Sequence, residues 1–137
     1  MKLRHIFSML LGLAALSGCA QTPADIRNRP EVMTEHSPAP YKLLGQCLQK
    51  KMRDETFTLG MTWSHDLRFQ DWAHEAELVA GTHQDIAYIV VFRSERDSGT
   101  LLKLHVSPYF MGFEVNTIRS KLQQNLTFCE ALLTRAQ

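Results

Sequence analysis

The sequence lacks a surplus of either charge: fifteen lysines and arginines stand against fourteen aspartates and glutamates in 137 residues. That balance leaves no global field to draw in nucleic acid or an acidic substrate. It also lacks an apolar run of the roughly eighteen residues a spanning helix needs; the stretch Ile6 to Leu16 has eleven. No Gly-x-Ser-x-Gly frame surrounds Ser64, Ser94 or Ser98, and no glycine-rich phosphate loop occurs. Internal repeats and low-complexity tracts are missing as well. Cysteine is scarce, with three in the chain. What is present is an ordinary globular mixture, 45% hydrophobic and 21% charged, which excludes wholesale disorder and a multi-span membrane protein.

The N-terminus has the parts of a secretory signal. Lys2 and Arg4 precede the apolar stretch, and Leu16-Ser17-Gly18-Cys19 follows it. This tetrapeptide resembles the lipobox of bacterial lipoproteins. The resemblance covers about the first twenty residues and says nothing of the fold. It implies cleavage of residues 1–18, a diacylglyceryl thioether on Cys19 and an acyl chain on its new amine. Two or more chains hold a protein on a membrane stably, where one anchors marginally. In that family an Asp after the lipidated Cys tends to retain the protein in the inner membrane; Ala20 stands here, which implies the outer membrane, facing the periplasm. Cleavage removes Lys2 and Arg4 and leaves thirteen basic against fourteen acidic residues.

Residues 19–40 carry Pro23, Pro30, Pro38 and Pro40 and little periodicity, the pattern of a flexible tether with a reach of about 25 Å. Residues 41–137 read as a single α+β domain. Tyr41, Leu44, Leu48 and Met52 recur at helical steps, with Cys47 beside them, and Lys50, Lys51 and Arg53 suit the last turn. Phe57, Leu59, Met61 and Trp63 alternate with polar residues as a strand does, and Ser64-His65-Asp66 reads as a turn. A weaker strand spans Trp72 to Ala80, with Glu75 and Glu77 against its apolar parity. Ile86 to Phe92 is apolar on both parities, as in a central strand covered on both sides. Leu101 to Ser107 supplies a fourth strand. Ile118, Leu122, Leu126, Cys129 and Leu133 mark a final helix, capped at Asn116 or Thr117. The expected fold is a helix, a four-stranded antiparallel meander and a helix, both helices on one sheet face. The other face then needs a cover: a partner, a second copy of the chain, or the tether folding back.

With Cys19 lipidated, Cys47 and Cys129 remain, an even pair in an oxidising compartment and hence a disulfide. The closed loop of 83 residues gives a chain-entropy contribution of about 4.5 kcal/mol as an upper figure. Two buried free thiols are the plainer alternative.

The remaining chemistry is sparse. His65, His74 and His83 are spaced by nine and His105 lies further on, which matches no zinc-ligand pattern; solvated turn histidines and one strand-face histidine are the plainer account. No cofactor, metal or catalytic set is expected. Pro108-Tyr109-Phe110-Met111-Gly112-Phe113 has five apolar residues in six. It closes the core as a plug, or it forms a patch of Tyr109, Phe110, Met111 and Phe113 that docks a partner protein or the lipid interface. The function classes these features leave are a non-enzymatic binding or assembly module contacting an envelope protein, a small-ligand or metal-binding lipoprotein, and a periplasmic inhibitor or immunity protein.

Overall fold

A computed structural model describes residues 21–57, 62–110 and 112–136, save the side chain of Phe113. Cys19, Leu59, Met61 and Met111 therefore lie outside the described residues. The elements run α1 (Pro23–Arg27), β1 (Met33–Ser37), α2 (Tyr41–Arg53), β2 (Ser64–Gln70), a 3-10 turn (Asp71–Ala73), β3 (Glu75–Gly81), β4 (Ile86–Ser94), β5 (Thr100–Val106) and α3 (Gly112–Arg135). The five strands form one antiparallel sheet in the order β1-β5-β4-β3-β2. The fold is thus α+β, with one strand more than the four expected.

Each sheet face has its own core. On the first, Ala76, Leu78, Tyr88, Val90, Phe92, Leu102 and Leu104 meet Leu44, Leu48 and Met52 of α2 and Ile118, Leu122, Leu126 and Cys129 of α3. Gly45 lets α2 approach closely, because a Cβ there would press the Leu67 side chain at 3.2 Å. On the second face Val79, Ile89 and Val91 pack under Ile26 of α1. The double-parity pattern of β4 thus has its physical reason: helices lie on both sides of it.

The N-terminal segment departs most from expectation. A flexible tether over residues 19–40 does not hold for its described part, which folds as α1 and β1. The expected list of covers included this one. Met33 pairs with Leu104 and Ser37 with Thr100 along β5, and Val32 N–H adds a 2.9 Å bond to the Leu104 carbonyl. Backbone pairing, which a propensity pattern does not display, outweighs the polar sequence of β1. The domain therefore begins well before residue 41.

The first half of the expected meander also shifts. Phe57 and Trp63 are buried but lie in irregular chain, stacked ring on ring at 4.3 Å. The expected turn at Ser64-His65-Asp66 is instead the start of β2, which pairs with β3 from Ser64↔Gly81 to Gln70↔Glu75. Trp72 sits in the 3-10 turn, not in a strand, and β3 begins at Glu75. The register shifts at Ala80/Gly81, where any side chain on Gly81 would collide with the Asp85 carbonyl. The last helix starts at Gly112, ahead of the expected caps.

Cys47 and Cys129 are joined, with Cα atoms 5.9 Å apart, so α2 and α3 are stapled side by side. A polar clasp adds to the staple: Lys121 donates to Glu55 at 2.7 Å and Asn125 donates to its other oxygen at 3.0 Å. Those bonds hold the Glu55 carboxyl below its ordinary range. Replacing both cysteines by Ala should cost about 2–4 kcal/mol, and each kcal/mol should lower Tm by about 4 °C. Thermal unfolding of the two forms measures this, and alkylation of unreduced protein should modify neither thiol.

Candidate functional site

Glu75 and Glu77 are two residues apart on β3, so both carboxylates project onto the second sheet face. They are 7% and 5% exposed, and two such charges need cations close by. Arg27 supplies one cation to both, with Nη1 donating to Glu77 at 2.9 Å and Nη2 to Glu75 at 3.2 Å. Arg93 Nε donates to the other Glu75 oxygen at 2.6 Å. The pairs balance at two positive and two negative charges.

Arg27 reaches that position because α1 is well capped. Thr22 Oγ1 accepts from the Asp25 amide at 3.3 Å, while the Asp25 carboxylate accepts from the Thr22 amide at 2.8 Å. Donation from the Thr22 amide, and then from the Thr22 hydroxyl at 2.8 Å, holds the Asp25 carboxyl below its usual range. A helix of five residues is too short to stand alone; Ile26, fully buried, and Arg27 next to it fasten it to the sheet.

Beside this clamp the chain from Arg27 to Glu31 overhangs β4 and β5 and leaves an open groove of about 490 Å³. Arg27, Arg29, Arg93, Lys103 and His105 line it together with Glu31. Arg27 and Arg93 are committed to the two buried glutamates. Lys103 meets Glu31 across a long 3.6 Å contact, both half-exposed, and the Glu31 carboxyl is held below its ordinary range by its own amide and then by Lys103. His105 Nδ1 donates to the Arg29 carbonyl at 2.9 Å, which leaves the exposed Arg29 guanidinium at the mouth. Among the described residues no hydrogen bond or ion pair holds that group. Chemically the groove offers cationic donors to carboxylate or phosphate oxygens.

The opposite corner of the first face holds an aromatic cluster of Phe57, Trp63, Tyr88 and Phe110. His65 lies within it, 3% exposed, in contrast to the expected solvated turn histidine. Its Nδ1 donates to the Trp63 carbonyl at 2.9 Å, so Nε2 is the acceptor for the Tyr88 hydroxyl at 2.7 Å. Burial pushes the imidazole below its ordinary range, against the pull of the Trp63 carbonyl. Burial likewise drives the Tyr88 phenol far above its own. Both groups stay neutral near pH 7.

The four histidines do not converge. His65 is in the core, His105 faces the groove, His74 ends the 3-10 turn with φ 51°, and His83 is exposed between β3 and β4. Among the described residues no cluster of three metal-binding side chains occurs. The aromatic patch divides: Phe110 packs edge-on against Trp63 at 5.5 Å, whereas Tyr109 is 59% exposed. Met111 and the Phe113 side chain lie outside the described residues. The sequence reading missed Arg27, Arg29, Arg93 and Lys103. Two signals pointed to the first of these: the off-parity Glu75 and Glu77, and the Thr22-Pro23-Ala24-Asp25 capping spacing.

Comparison with protein-family models finds no match, and neither does comparison with curated proteins.

Three outcomes follow. In a double-mutant cycle of Arg27→Ala with Glu77→Gln, urea unfolding should give a coupling above about 1 kcal/mol, since the single Arg change strands a buried carboxylate. For His65 the folded form resists protonation while the unfolded imidazole titrates near its usual value of about 6.5. The unfolded state therefore binds the extra proton first, and stability should fall as pH drops below about 6.5. Urea midpoints between pH 7.5 and 5 test this, and the fall should be smaller in His65→Asn. Tyr88→Phe should cost about 1–3 kcal/mol, because Nε2 loses its donor.

Proposed function

We propose that the mature chain is a lipoprotein anchored through Cys19 in the outer membrane, facing the periplasm, where it binds an envelope protein and performs no catalysis. The observation that carries the binding reading is the open groove in which Arg29 and Lys103 stand above the Arg27 clamp. An acidic segment of a partner fits it: carboxylates can take up the Arg29 guanidinium and displace Glu31 from its long contact with Lys103. Catalysis is set aside because the buried histidines are engaged elsewhere, His65 with Tyr88 and His105 with a backbone carbonyl. The anchoring reading rests on the basic end, the short apolar stretch and Leu-Ser-Gly-Cys. It is consistent with the described residues, where no helix is long and apolar enough to cross a membrane.

The test is crosslinking and co-purification from membranes, with identification of whatever accompanies the protein. Arg29→Glu with Lys103→Glu should abolish recovery of the partner, while the melting temperature and membrane fractionation stay as in the parent. Cys19→Ser should move the protein out of the membrane fraction. A partner retained undiminished by the double charge reversal would remove the groove from the proposal. Retention of the Cys19→Ser protein on membranes would remove the lipid anchor.

A further inference from the structure

The two ends of the sheet differ in what they expose. β2 and β4 run toward one end, which carries the 3-10 turn of Asp71–Ala73 and the Glu95-Arg96-Asp97-Ser98-Gly99 hairpin. The other end carries the β3–β4 turn, the exit of β5 at Val106, and Pro108, Tyr109 and Phe110. Residue 21 lies at this second end. Ser107 Oγ donates to the Gln21 carboxamide oxygen at 3.4 Å, and the same hydroxyl accepts from the Tyr109 amide at 3.4 Å. Trp63, Ile86, Ala87, Tyr109 and Phe110, together with the polar Thr82, Asp85 and Ser107, border a hollow of about 250 Å³ whose wall is mainly apolar.

Cys19 is two residues before Gln21. Two residues of extended chain span at most about 7 Å, far less than the reach of a tether over residues 19–40. The seven residues of β3 or β5, by contrast, put the charged end about 23 Å further away. Lipids on Cys19 therefore bring the Tyr109 end, not the Trp72 end, to the membrane. Tyr109 is 59% exposed there; an aromatic ring with a polar tip suits the headgroup level.

We propose that this end, with Tyr109 outermost and the hollow of Trp63, Ile86 and Phe110 behind it, lies against the lipid surface that holds Cys19. Trp72 then points away from the membrane, and the groove lies on the side of the domain, along the second sheet face. The inference rests on the anchoring reading and adds an orientation to it.

Lipidated full-length protein, extracted from membranes and inserted into phosphatidylethanolamine and phosphatidylglycerol vesicles, tests it with brominated phosphatidylcholine as a contact quencher. One form carries Trp63→Phe, leaving Trp72 as the reporter. A second carries Trp63→Phe, Trp72→Phe and Tyr109→Trp, leaving the reporter at position 109. The reporter at 109 should lose most of its fluorescence in brominated vesicles, and Trp72 should keep nearly all of its own. Equal quenching of the two, quenching of Trp72 alone, or quenching of neither overturns the orientation. Intact mass of the extracted protein separates this from the anchor. If Cys19 carries no lipid, the anchoring reading fails and the orientation with it; if the lipid is present and the quenching pattern is wrong, the orientation alone fails.

Discussion

Arg27 sits where two requirements meet. β4 is apolar on both faces, so the sheet needs a second cover, and β3 places two buried carboxylates beside the place that cover must occupy. The Arg27 guanidinium, held between Glu75 and Glu77 at 3.2 and 2.9 Å, balances the charges together with Arg93 on Glu75, while the neighbouring Ile26 fills the apolar gap over Val79, Ile89 and Val91. Full burial of such a side chain is worth about 1.5–3 kcal/mol, too little to order a five-residue helix alone. Capping at Thr22, the Arg27 pairs and the β1–β5 ladder act together to hold the segment down. The groove is a consequence: the chain leaving α1 must cross β4 and β5 to reach the β1 edge, and residues 28–31 bridge that gap without filling it.

The cover of the first face follows a different rule. α2 and α3 each present a long apolar stripe, and the bond between Cys47 and Cys129 fixes their relative height. α2 runs along the β2 side of the face, with Lys42 on Asp71, Gly45 against Leu67 and Gln49 donating to the His65 carbonyl, and it links β1 to β2, strands at opposite margins of the sheet. Non-local pairing of this kind defers its gain until the chain is nearly complete.

The legible parts of the sequence were those whose partners are built into a local period. Leu44, Leu48 and Met52 announce a helix by themselves, Ile86 to Phe92 announces a doubly covered strand, and two cysteines at helical positions announce their pairing. The parts that misled have partners far along the chain. Met33 to Ser37 is a strand because of β5, about seventy residues later. His65 can face inward because the Tyr88 hydroxyl meets it, and nothing in Ser64-His65-Asp66 shows that. The alternation from Phe57 to Trp63 reads as a strand, yet the two described rings at its ends, Phe57 and Trp63, lie in irregular chain and are buried by stacking on each other. The candidate groove was illegible for the same reason: Arg29 and Lys103 are brought together only once β1 has paired.

The folding of residues 22–37 alters what an anchor at Cys19 would do. A flexible tether would let the domain sample a hemisphere of about 25 Å radius and meet partners in any orientation. A segment that is already folded by Thr22 leaves almost no chain for such sampling, and the lipid then acts on an oriented body. Pre-orientation lowers the rotational cost of meeting a partner held in the same membrane. On the proposed reading it would also confine partners to those whose acidic segment reaches the groove at the height set by the sheet. The Arg27 clamp would thus link stability to the proposed binding: without it the N-terminal segment would regain its freedom, the groove would lose one wall, and the remaining cations would face solvent in no fixed direction.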